Sequence, residues 1–162
     1  MKSLFILQLV CCVITAMLAL QLAMASLQVR WKVWRYEISR WILVASMLFF
    51  SVHYLLQMIH GLRAQGTDVG AAFNILFYTP VAFAITLSII NIESTGNKVR
   101  RYCLRGMMAY ILIAIVFVIG MFKSQSLHIG NMLYVMLGLF VASMAYFILI
   151  IRKETKAVSY TH

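Results

Sequence analysis

The stretch SVHYLLQMIHGL, Ser51 to Leu62, carries His53, Gln57 and His60 inside an otherwise apolar run. Their i, i+4, i+7 spacing places all three on one face of a helix. Imidazole and amide groups in that pattern can ligate a metal or heme, hydrogen-bond a small ligand, or fasten one helix to another. Asn74, Tyr78 and His128 add polar groups further along, and the six together form the candidate ligand-binding set.

Each chemistry makes its own demand. A heme between helices takes axial ligands from facing elements, His with His or Met. His60 facing His128 would meet it, as would His53 with one of the eleven methionines. Zinc or copper needs ligands converging on one point. His53 and His60 are two turns apart, about 10 Å along a helix axis, so Cys11 and Cys12 would have to complete such a set. A quinone or other small ligand needs only an apolar slot with a few polar groups. Polar groups that merely bridge membrane helices contribute roughly 0.6 kcal/mol each. The expectation is a small-ligand pocket with no resident cofactor and no metal. The alternatives are a heme- or quinone-binding electron-transfer subunit, or a structural subunit of a membrane complex.

The acids narrow the field. Glu37, Glu93, Glu154 and Asp68 are the only four, and each reads as part of a loop, a helix end or the tail. No carboxylate falls mid-run, which counts against proton-coupled transport. No paired carboxylates, nucleophile elbow, glycine-rich phosphate loop or metalloprotease motif is present. A non-enzymatic role follows. Cys11, Cys12 and Cys103 are odd in number and lack a C-x-x-C spacing, so no disulfide framework is expected.

The elements that must position these residues are membrane helices. The 162-residue chain is 64% hydrophobic and 11% charged, with one proline, against about 25% charged residues in soluble domains. Crossing a hydrocarbon core takes roughly 20 apolar residues, and five runs answer to that: 4–27, 41–59, 71–92, 106–122 and 131–151. In lipid such runs must be helical. The fold class is therefore all-α and polytopic, a five-helix domain over 1–151 followed by a basic tail, 152–162. Pro80 should kink the third helix, because it removes an N–H and frees the carbonyl four residues earlier.

Charge sets the orientation. The net charge of +10 gathers beside the apolar runs, which is membrane-flanking rather than nucleic-acid-binding placement. Eleven of fourteen basic residues fall on one side, including Arg30, Arg35, Arg40, Lys98, Arg100, Arg101 and Arg105. Positive flanks stay cytoplasmic, so the N-terminus is expected outside and the C-terminus inside. Ala23-Met24-Ala25 resembles a signal-peptidase site, but cleavage there would invert the other helices and translocate the basic clusters, so the first helix is kept. Trp31, Trp34, Ile38 and Trp41 recur on one face of a basic segment, which reads as an amphipathic stretch at the inner headgroups, against anionic lipid.

VWRYEISR at Val33 and VRRYCLR at Val99 echo each other at an offset of 66, which would map helix one onto three and helix two onto four. The stretches QLAMASLQVRW, NILFYTPVAF and HIGNMLYVMLGLFVASM resemble the multi-helix N-terminal membrane region of AraC-type, membrane-anchored helix-turn-helix regulators. That resemblance implies a bacterial inner-membrane signalling protein. Only eleven residues follow Ile151, too few for a DNA-binding domain, so the expected role is a sensory or anchoring module. Its partners would be the bilayer and a second copy or another membrane protein.

Overall fold

The computed structural model describes residues 2–25, 33–62, 65–93 and 96–159. Five helices make up the fold: α1 (Lys2–Met24), α2 (Val33–His60), α3 (Thr67–Glu93), α4 (Gly96–Ser124) and α5 (Met132–Ser159). All five are long and apolar enough to cross a membrane.

The apolar runs locate the helices but not their ends. α4 begins ten residues ahead of the expected Gly106, and α5 continues eight past Ile151, so Lys98 to Arg105 and Arg152 to Lys156 are helical. Trp34, Ile38 and Trp41 belong to α2 itself rather than to a separate surface segment. Arg30 and Trp31 lie outside the described residues. An apolar-run criterion measures the hydrocarbon-matched length only. Lys, Arg and Glu propagate a helix well, and long basic side chains carry their charge back toward water.

Contacts place the start of each helix against the end of the next, so consecutive helices run antiparallel, whereas α3 and α5 run parallel. α1 packs on α2, α2 on α3, α3 on both α4 and α5, and α4 on α5. The centre is α3, which has no Lys or Arg. Ala72 and Ile75 of α3 meet Ile113 and Phe117 of α4, Met136 of α5 and Ile129 of the preceding turn in one buried cluster. Gly106 lets α4 approach α3, since a Cβ there would lie 2.0 Å from Phe83 Cε2. Pro80 sits inside α3, which stays helical on both sides. Its neighbour Thr79 turns its hydroxyl onto the Ile75 carbonyl at 2.7 Å.

The outward faces are as apolar as the core. Met107, Met108, Ile111, Ile115 and Ile119 of α4 and most large side chains of α1 are exposed. A contiguous surface of that kind has no place in water and suits a multi-pass membrane protein. The 66-residue offset maps the bounds of α1 onto α3 and of α2 onto α4 to within three residues at every end.

Two ends of the bundle carry the polar side chains. One holds His60, Asp68 and His128 and is called the histidine end below. The other holds Lys98 and Glu154 and is called the glutamate end.

Candidate functional site

Helices α2 and α3 meet through a shared acceptor near the histidine end. Gln57 Nε2 can only donate and lies 2.7 Å from Asn74 Oδ1, so that oxygen accepts. His53 Nε2 is 3.1 Å from the same atom and therefore donates to it. Gln8 of α1 donates from Nε2 to Gln57 Oε1 at 3.2 Å. The side-chain amides thus run head to tail, from Gln8 through Gln57 to Asn74. Bonds in such a chain polarise one another, and the last group, Asn74 Nδ2, is left as a donor with no partner among the described residues.

Burial makes this chain distinctive. His53 and Gln57 are each 1% exposed and Gln8 5%. The His53 ring stacks on Phe77 at 4.3 Å and meets the edge of Tyr78 at 5.7 Å. The Tyr78 hydroxyl lies 3.5 Å from that of Tyr54. One turn deeper, Cys12 Sγ approaches Ser51 Oγ at 3.3 Å, while the Ser51 hydroxyl donates to the Cys12 carbonyl at 3.2 Å. These contacts hold α1 and α2 in register.

Asn74 also lines a groove of about 290 Å³, together with Leu4, Gly66, Thr67, Gly70 and Ala71. Two glycines and an alanine make the room. A ligand entering there meets Leu4 of α1 on one wall and the first turns of α3 on the other. The amide chain supplies the polar handle, and its polarity calls for a hydrogen-bond acceptor on the ligand.

Of the six residues expected to form one site, His53, Gln57, Asn74 and Tyr78 come together. His60 and His128 do not. His60 is exposed at the end of α2. His128 Nδ1 pairs with Asp68 Oδ2 at 2.8 Å, which ties the turn before α5 to the first turn of α3. Gly66 is wedged beside this pair at φ +153°, where a Cβ would sit 2.6 Å from Asp68 Oδ1 and 2.9 Å from His128 Cε1. The histidine spacing suggested one face, but α2 ends at His60, so that side chain leaves the helix packing altogether. Among the described residues no three His, Cys, Asp or Glu side chains gather as a metal set.

Sequence spacing missed Gln8, which completes the amide chain, and it missed the glutamate end. There Glu154 of α5 is buried rather than part of a solvated tail. Its carboxylate accepts from Lys98 Nζ at 3.2 Å and from the Tyr102 hydroxyl at 2.9 Å. Arg105 donates to the Tyr146 hydroxyl at 3.1 Å alongside. Ser39 and Ser88 exchange hydroxyl-to-carbonyl bonds at 3.0 and 3.3 Å, and Asn91 donates to Ser39 Oγ and to the Arg35 carbonyl, both at 3.0 Å. Arg40 pairs with Glu37 at 2.6 Å, donates to the Ala25 carbonyl and stacks over Trp41.

No family model matches this chain, and neither a curated protein nor a solved structure matches it.

Proposed function

We propose that this chain is a non-enzymatic sensory or anchoring module of a bacterial signalling system, set in the inner membrane with its N-terminus outside and C-terminus cytoplasmic. Its ligand is a small amphiphile with a carbonyl or carboxylate acceptor, bound at Asn74. The carrying observation is the amide chain that ends on Asn74, a residue that lines a 290 Å³ groove. The eleven-to-three split of basic residues supports the orientation. The resemblance of NILFYTPVAF and its companion stretches to AraC-type membrane regions supports the signalling role. Asn74 is held in place by the same bonds that join α1 and α2 to α3, so a ligand that engages it binds one helix arrangement better than another. Such a differential affinity is what a sensor requires. A quinone is the second reading, favoured by the same donor, since a quinone carbonyl is an acceptor.

Thermal unfolding in detergent tests the site, with decanoate, a decyl-substituted benzoquinone and decylamine as probes. The two acceptors should stabilise the wild type, by about 1.4 kcal/mol at ten times Kd, and should lose that effect in Asn74→Leu. Decylamine should do nothing. Equal stabilisation by all three, or stabilisation that survives the substitution, would refute the site. Reporter fusions after Ser159 test the orientation: a reporter active only in the cytoplasm should work there.

A further inference from the structure

Beside the Glu154 cluster, the glutamate end presents cations that no carboxylate answers. Glu154 is the one acid that α4 and α5 carry, and it is buried and bonded to Lys98 and Tyr102. Along the same seam Arg105 of α4 donates to the Tyr146 hydroxyl of α5 at 3.1 Å. Arg101 lies one helical turn from Arg105 and shares its face. Lys153 lies two turns from Tyr146 and shares its face on α5. Arg101, Arg105 and Lys153 are all exposed, and none of the three meets a carboxylate among the described residues.

Chemistry and depth identify the partner. The Tyr146 oxygen accepts from Arg105, so its own proton stays available. Arg105 keeps further N–H groups that have no acceptor among the described residues. A hydroxyl and a guanidinium fixed side by side offer several donors to one group rich in acceptor oxygens, which is how a phosphate is held. Arg105 is the last charge before the apolar run 106–122. It therefore stands at the edge of the hydrocarbon, where the phosphates of a bilayer begin. Deeper on the same face of α4, Met108 and Leu112 are 69% and 49% exposed, an apolar surface for the acyl chain of the same molecule.

We propose that Arg105 and Tyr146 hold the phosphate of one anionic phospholipid at the exposed edge of the α4–α5 seam, with Arg101 and Lys153 nearer the water. Charge selects the headgroup. A choline headgroup brings its quaternary ammonium against Arg101 and Lys153, whereas a glycerol headgroup leaves the phosphate as its sole charge. The proposal rests on the membrane placement of the helices and is independent of the Asn74 site. A lipid bound there bridges α4 and α5 at the surface, as Glu154 bridges them from within.

The test is native mass spectrometry of protein released from nanodiscs of equal dioleoyl-phosphatidylglycerol and dioleoyl-phosphatidylcholine. The wild type should retain one lipid, with the glycerol form favoured about tenfold. Each cation near a membrane surface is worth about fivefold, so Arg105→Gln and Arg101→Gln should each cut the preference to about twofold. Tyr146→Phe should also weaken it. Arg152→Gln is the control, because Arg152 is exposed and lies about 120° round α5 from Tyr146. It removes the same charge away from the site and should leave the preference intact. Equal retention of the two lipids, a preference that survives both substitutions in α4, or a loss in Arg152→Gln as large as in Arg105→Gln would each overturn the proposal. The last would show diffuse attraction without a site. None of these results bears on stabilisation by decanoate at Asn74, so the two sites fail separately.

Discussion

At the histidine end, Gln8, Gln57, Asn74 and His53 form a chain without carboxylates that joins three helices and finishes on a residue lining a groove. At the glutamate end, Glu154 is buried and closed in by Lys98 and Tyr102, with Arg105 and Tyr146 paired beside it. The first region is open, because its last polar group has no partner among the described residues. The second is closed, because its buried carboxylate is answered within α4 and α5. Closed clusters of charge fasten helices, and an open neutral chain leaves a hydrogen bond for something else. That contrast is why the proposed ligand site is at Asn74 and not at the more strongly charged end.

The contrast can be broken most sharply at Lys98. Removing it as Lys98→Met leaves a buried carboxylate with only Tyr102 to answer it, and the expected loss is about 2–3 kcal/mol in mixed-micelle unfolding. Glu154→Gln removes the charge itself and should cost less, about 1 kcal/mol, because Lys98 is 54% exposed and returns to water. If the glutamine variant proves the more damaging, Glu154 is not the buried partner. Second to Lys98→Met in size is Asn74→Leu, which takes one acceptor from both His53 and Gln57 and should cost about 2 kcal/mol. Gln8→Leu ends the chain one link early, and a double-mutant cycle with Gln57 should give a coupling of about 0.6 kcal/mol. A coupling near zero would mean that α1 is held by its apolar contacts alone. Tyr78→Phe should change least, within about 0.5 kcal/mol, since its bond to Tyr54 is 3.5 Å long.

Much of the architecture was legible as apolar length. Five runs gave five helices, and the 66-residue echo matches how the helix ends repeat. His53 and Gln57 were legible as a buried pair because a helical spacing links them. Gln8 was not, because Ile6, Leu7, Leu9 and Val10 surround it and its partner is 49 residues away on another helix. Glu154 was hidden differently. It follows the last apolar residue by three positions, and only the continuation of α5 and the start of α4 at Gly96 bring Lys98 to it. His60 misled for the opposite reason, since it fits the spacing but lies where the helix stops. Spacing rules see one helix at a time, and both polar groups here are built between helices.

The most direct measurement uses the side-chain amides. The chain has four asparagines, at 74, 91, 97 and 131, so selective ¹⁵N-asparagine labelling gives four side-chain signals in nanodiscs. Titration with decanoate should move the Asn74 amide protons downfield, as Nδ2 takes up an acceptor, while Asn91 stays fixed. An Asn74 signal that does not move, or that moves only together with all the others, would contradict the account and leave the amide chain as helix packing.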